Sequence, residues 1–170
     1  ELIFGDIRDN NLVTEISKNC STIINLAALI GIPYSYVSPL AYLQTNVVGT
    51  YNVLESCKIN KIKNIIITST SEVYGSSQYE PMDEKHPVFS QSPYAASKNS
   101  ADELSKSYYN SFNLPIKIIR PFNTFGPRQS ARAVIPNIIF QLIDKKIKNV
   151  KLGNLSPRRD YTYVEDLCDA

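Results

Sequence analysis

The chain is poor in the features that announce most binding classes. Its three cysteines, Cys20, Cys57 and Cys168, are scattered and odd in number, with no Cys-x-x-Cys pair, and there is one histidine, His86. That argues against a Cys/His metal site and fits a reducing, cytoplasmic setting. The net charge is only +2, without a run of Lys or Arg, so there is no electrostatic footprint for nucleic acid. No apolar stretch approaches the roughly 20 residues of a membrane-spanning helix; the longest are strand-sized. No Gly-x-x-Gly-x-x-Gly follows the first apolar run, so the loop that cradles a dinucleotide's phosphates is missing from these residues. An initial Met and a signal-peptide pattern are also lacking. The chain opens at Glu1 and closes on "YVEDLCDA", which reads as a helix beginning, so the expectation is the middle of a longer protein.

What is present is an ordinary globular composition. Over 170 residues, 43% are hydrophobic and 20% charged, enough for one domain with a real core. Short apolar runs alternate with longer amphipathic stretches. The pattern predicts strands at 2–4, 22–26, 64–68, 116–119 and 150–152, and helices at 11–18, 40–58, 94–112 and 134–146. Alternation of this kind implies βαβ units and a mostly parallel, doubly wound sheet. The runs "TIINL" and "NIIIT" do not alternate apolar with polar, as expected of strands covered by helices. In such sheets ligands sit at the carboxyl ends of the strands. Four small or polar segments fall there: "GDIRD", "AALIG", "STSEVYG" and "RPFNTFGPR". Residues 76–93 are expected to be a long surface loop, a kind that is often functional.

Two of these places carry chemistry. "YAASK" puts Tyr94 and Lys98 at i and i+4, on one helix face. An ammonium beside a phenol lowers its pKa and makes it a usable base near neutral pH. The pair lies one loop after a strand that ends in Ser69, Thr70 and Ser71, so hydroxyl, phenol and ammonium follow in order. Glu72, within "STSEVYG", is an odd residue for a strand that needs only to stop. Burial there would raise its pKa toward the range useful for acid–base work.

These segments, together with "NLAAL", "TNVVGTYNVLE" and "RRDYTYVED", occur in the order found in the extended short-chain dehydrogenase/reductases. The chain resembles that family of NAD-dependent nucleotide-sugar epimerases and dehydratases over essentially its whole length. The resemblance implies a Rossmann-like doubly wound sheet. Residues 1–170 would be its central part, lacking the first βαβ portion and most of the C-terminal substrate domain, with the substrate-binding region starting from about residue 121. It implies that Thr70 hydrogen-bonds the sugar 4-hydroxyl, that Tyr94 takes its proton, and that Lys98 tunes Tyr94 while holding the nicotinamide ribose. Asp6 and Ile7 resemble the pair that contacts adenine. Leu26, Ala27, Ala28, Ser69 and Pro121 resemble further cofactor contacts, and Asn46 a residue that supports the active-site geometry. Asn123 resembles a residue that binds the sugar-nucleotide phosphate, Ala133, Val134 and Pro136 the segment over the base, and Arg159 the arginine that pairs with diphosphate or ribose. A homodimer through helices 40–58 and 94–112 is implied as well.

Glu72 then acquires a task. A 4-epimerase needs only oxidation at C4 and its reversal. A 4,6-dehydratase must also remove the C5 proton, which the 4-keto group has made acidic, while the C6 hydroxyl leaves. Dehydratases of the family carry Thr-Asp-Glu or Thr-Ser-Glu here, and Thr70-Ser71-Glu72 matches the second form. Ser71 replaces the acid that would protonate the leaving hydroxyl, so Glu72 itself or a water must carry that proton. In pattern, "AALIGIPYSYVSPLAYLQTN" and "SARAVIPNII" look closest to UDP-N-acetylglucosamine 4,6-dehydratases of nonulosonic (legionaminic) acid synthesis. The rival readings are a UDP-glucuronate decarboxylase, which shares "STSEVYG" and "FNTFGPR", a 4-epimerase, a GDP-mannose 4,6-dehydratase, and a catalytically inactive scaffold of the same fold. Without the glycine-rich loop, the expectation for residues 1–170 alone is weak NAD binding and no activity.

Overall fold

The structure, a computed structural model, describes residues 1–170 and divides into two units, Glu1–Arg120 and Pro121–Ala170. The first unit is built on three parallel strands in the order β1-β2-β3: Thr22–Asn25, Asn64–Thr68 and Ile116–Ile119. Thr22 is level with Asn64, and Ile65 with Ile116. Parallel neighbours need a crossover. The first crossover contains α2 (Ile32–Val37), α3 (Pro39–Tyr42) and α4 (Gly49–Asn60), and the second is α5 (Pro93–Phe112). α1 (Asn10–Ile16) precedes β1 and packs on α4.

One face of the sheet makes the core. Ile65 and Ile67 point with Ile23, Ile116 and Ile118 at Val13 of α1, at Val53, Leu54 and Cys57 of α4, and at Tyr108 of α5. On the opposite face Ile24 is 58% exposed. Local chemistry sets the helix ends. Asp9 accepts from the Leu12 N–H to start α1. Ser92 accepts from Ala95 N–H, just ahead of Pro93, to start α5. Lys61 and Asn113 close α4 and α5 in the left-handed conformation.

Several boundaries differ from the sequence expectation. The predicted helix 40–58 is interrupted by a widened π turn, Leu43–Val48, and α2 was not anticipated. Residues 2–4 form no strand: their backbone pairs with no neighbour, and Leu2 and Phe4 are 79% and 88% exposed. An apolar run is a strand only when a ladder exists to join. Residues 150–152 form none either, because the Lys151 backbone is taken up by the Gln141 side chain, accepting at 3.0 Å and donating at 2.7 Å.

The second unit holds a parallel pair, β4 (Asn123–Phe125) and β5 (Tyr161–Tyr163), with α6 (Val134–Ile143) and α7 (Val164–Asp169). Both strands were missed in the sequence, being three residues long and without an apolar run. No helix of the chain is long and apolar enough to cross a membrane.

Candidate active site

β2 hands over to the site directly. Ser69 N–H donates to Ile119 O at 2.7 Å, continuing the sheet by one residue. Thr70 then turns the chain: its Oγ1 accepts from Glu72 N–H at 3.2 Å and caps the short 3₁₀ turn Ser71–Tyr74. Glu72 is half-buried on this turn, not buried at a strand end as the sequence implied. Gly75 ends the turn at φ 69°, where a Cβ would sit 2.3 Å from the Phe89 carbonyl oxygen, so the close approach of residues 75 and 89 requires glycine.

α5 brings the second set of groups. Tyr94, Lys98 and Asp102 recur every four residues and are all buried. Lys98 Nζ donates to the Thr68 carbonyl at 2.6 Å, which pins the helix to the end of β2. Burial pushes the Tyr94 phenol up; the nearby Thr70 hydroxyl opposes this, and Glu72 and Tyr42 add to it. The groups that shift Tyr94 here are Thr70, Glu72 and Tyr42, while the Lys98 ammonium is bonded to the Thr68 carbonyl. Lys98 is itself pushed down by burial, with Asp102 opposing. Thr70, Glu72 and Tyr94 thus act on one another across two elements, and Lys98 lies one helical turn from Tyr94.

Asn46 explains the π turn's place in the site. Its buried side chain accepts from Leu29 N–H at 2.8 Å and donates to Leu29 O at 3.0 Å and Ser97 Oγ at 2.9 Å. Ser97 in turn donates to the Tyr94 carbonyl at 2.7 Å. One amide therefore ties the segment after β1, with Leu26, Ala27 and Ala28, to the helix that carries Tyr94. π turns recur at functional sites. Ala28 is half-buried, whereas Leu26 and Ala27 are exposed.

Asp6 and Ile7 border a groove of about 350 Å³ that is also lined by Ile3, Leu12, Ile24 and Asn25. Asp6 is gripped by Arg8, whose Nε and Nη2 donate to both carboxylate oxygens, and the Arg8 hydrogen bonds hold its pKa at about 2. In the second unit Asn123, Ala133 and Val134 line a cavity of about 300 Å³ with Phe125, Gln129 and Tyr161. Pro121 and Pro136 are half-buried and stand outside that lining, and Arg159 is exposed, donating to the Arg158 carbonyl. Asp102 was not singled out from the sequence. Its signal was the eight-residue spacing from Tyr94, which extends the Tyr–Lys stripe by one turn.

The family model for GDP-mannose 4,6 dehydratase matches residues 1–170. A dTDP-D-glucose 4,6-dehydratase of Dictyostelium discoideum is 35% identical over 98% of this chain and 41% of its own length. Among solved structures, a UDP-N-acetylglucosamine 4-epimerase from Methanobrevibacter ruminantium, in complex with UDP-N-acetylmuramic acid, superposes with a TM-score of 0.91 at 34% identity, covering 98% of this chain and 55% of that one. A dTDP-glucose 4,6-dehydratase from Streptomyces venezuelae, with NAD bound, gives 0.88 at 30% identity, covering 97% and 51%. The chain spans about half the length of the relatives it matches.

Proposed function

Because this chain belongs to the GDP-mannose 4,6 dehydratase family of nucleotide-sugar dehydratases and epimerases, we propose that the whole protein is an NAD-dependent nucleotide-sugar 4,6-dehydratase. The observation that carries the reading is Glu72 on a turn capped by Thr70 and acting on Tyr94, a second base, a carboxylate, beside the phenol that takes the 4-hydroxyl proton. An epimerase has no use for it.

The residues fit the cofactor. Thr68 Oγ1 and Ser69 Oγ are buried at the end of β2 without a hydrogen-bond partner, next to the carbonyl that holds Lys98. Orphaned polar atoms at a strand's carboxyl end suit the hydroxyls of a ribose. Ser69, Tyr94 and Lys98 would hold the nicotinamide end, and Asp6, Ile7, Leu26, Ala27 and Ala28 the adenine side, with Asn46 positioning the segment after β1; Pro121, at the start of the second unit, is a further cofactor contact by resemblance. Bound NAD supplies the acceptor for the C4 hydride and the donor that returns it at C6. Thr70 orients the 4-hydroxyl, and Tyr94 accepts its proton. Glu72 then removes the C5 proton while the C6 hydroxyl leaves as water, protonated by Glu72 or by a water beside Ser71, and C5 regains a proton from Glu72 or solvent when C6 is reduced. Asn123, Val134, Pro136 and Arg159 would hold the nucleotide.

For the sugar nucleotide we put forward UDP-N-acetylglucosamine, on the likeness of the segment 27–46. Cytoplasmic placement rests on the three cysteines, all free thiols. The test is incubation of the full-length protein with NAD and, separately, UDP-N-acetylglucosamine, dTDP-glucose, GDP-mannose and UDP-glucuronate. A 4-keto-6-deoxy product from the first is expected. The same product from another sugar alone would move the substrate and keep the reaction, whereas a C4 epimer or released CO2 would overturn the reaction. Residues 1–170 by themselves should bind NAD more weakly than micromolar, since they carry no glycine-rich phosphate loop; calorimetry reads this directly.

A further inference from the structure

A buried ion pair joins α5 to the end of β3, and the proposed chemistry does not use it. Asp102 is 0% exposed, yet it is a carboxylate. Its Oδ2 accepts from Arg120 Nε at 2.9 Å. Its Oδ1 is buried with no hydrogen-bond partner, as is Ser69 Oγ. The Ser69 hydroxyl is near enough to draw the Asp102 carboxyl's pKa down, though short of a full hydrogen bond. Arg120 reaches further: Nη1 donates to Tyr74 Oη at 3.1 Å, and the guanidinium lies 5.0 Å from the centre of the Tyr74 ring. Tyr74 closes the turn that carries Glu72. An ion pair removed from water is costly unless its geometry is well satisfied, so a chain that needed only packing here would use an apolar pair.

We infer that Asp102 is a positioning residue for this site: buried one turn beyond Lys98 on the same face of α5, its charge supports the ammonium that the Thr68 carbonyl holds, and through Arg120 and Tyr74 it ties the α5 stripe to the turn bearing Glu72. This rests on the reading that Tyr94, Lys98 and Glu72 carry the chemistry. Asp102, one turn along the same helix, is the charged group that acts on Lys98; Arg120 at the end of β3 acts on Asp102, and Glu72 on the turn and Tyr42 on α3 act on Tyr94. Asp102 is the charge that opposes the downward pull of burial on Lys98. Burial pushes Asp102 toward its neutral form, against Ser69, Arg120 and Lys98. Burial also works against the charge on Arg120, but its bonds to Tyr74 and Asp102 outweigh that and raise it. The two partners pull in different directions, and the 2.9 Å guanidinium contact decides for an ionised carboxylate.

The experiment uses full-length protein, with Lys98 Nζ titrated by nitrogen-15 NMR and turnover followed against pH. In Asp102→Asn the Lys98 midpoint should fall by about one pH unit, the alkaline limb of kcat should move down with it, and kcat should drop about tenfold with little change in KM for NAD. Asp102→Glu, which keeps the charge, should recover most of the midpoint. An unchanged Lys98 midpoint in Asp102→Asn, with only a lower unfolding temperature, would overturn the inference, because a merely structural residue moves stability alone. If Asp102→Asn does not fold, Arg120→Lys replaces it. That variant keeps a cation against Asp102 but loses the reach to Tyr74, so it should slow the Glu72-dependent elimination and spare the first hydride transfer. Equal slowing of both steps would count against the proposal. The NMR titration needs no substrate, so a Lys98 shift without any dehydratase product would refute the functional reading and not this one.

Discussion

Tyr94 and Glu72 divide the proposed reaction between them, and the division can be seen one residue at a time. Tyr94→Phe removes the proton acceptor for the 4-hydroxyl, so NADH should never form. Glu72→Gln keeps shape and hydrogen bonding but cannot take the C5 proton. Loss of a general base costs roughly 10²–10⁴-fold, so product should slow by that much while NADH absorbance or a 4-keto hexose accumulates. The same substitution has a sign on the pH axis. The Glu72 charge helps to raise Tyr94; removing it lowers the phenol's pKa, so the acid limb of the first half-reaction should move to lower pH. Normal turnover by Glu72→Gln, with solvent deuterium still entering C5, would identify another base. Most of this site was legible in the chain because "STSEVYG" and "YAASK" place the groups locally, by strand end and helix period. What was not legible was their state. Whether Lys98 acts on Tyr94 depends on the Thr68 carbonyl, a partner thirty residues away that no spacing reveals.

The elements that hold these side chains depend on a few backbone choices. Gly75 is the sharpest: at φ 69° and ψ −144° it sits where non-glycine residues are strained, and its missing Cβ lets the Phe89 carbonyl come close. Gly75→Ala should therefore cost about 1–3 kcal/mol or more, read as a lower urea midpoint. The Glu72 step should slow more than the Tyr94 step, because Gly75 ends Glu72's turn. Equal stability to wild type would mean that the turn adopts another path. The π turn at Leu43–Val48 belongs to the same scale. The apolar periodicity of 40–58 announces a helix and places its ends within a few residues. The extra residue per turn answers to Asn46, whose three side-chain bonds are to Leu29 and Ser97. Periodicity reads which face is apolar; it does not read a buried amide. Residues 2–4 and 150–152 failed for the converse reason, since their apolar character was read without a neighbour to supply the ladder.

At the scale of the whole molecule, the first unit leaves apolar surface on the helices that also build its core. Leu54, Ala101 and Tyr108 turn inward, while Val48, Tyr51, Tyr109 and Phe112 lie on the outside, with Tyr109 at 55% exposure. Lys58 bridges the two helices there, its ammonium 4.6 Å from the Phe112 ring centre and paired with Glu55, which also accepts from Tyr108. Helices that are apolar on two sides call for a partner on each, and a four-helix contact between two copies satisfies both α4 and α5 at once. That pairing remains a proposal for the full-length protein, and a single exposed residue tests it. Tyr109→Asp places a charge in the middle of the contact while touching nothing in the core. Light scattering at micromolar concentration should show a dimer for wild type and a monomer for the variant, with unchanged circular dichroism. Because α5 also carries Tyr94 and Lys98, the monomer should lose activity with no change in the identity of its product. A dimeric Tyr109→Asp protein would place the interface on another surface, and a monomeric wild type would leave these aromatic side chains in water with no counterpart.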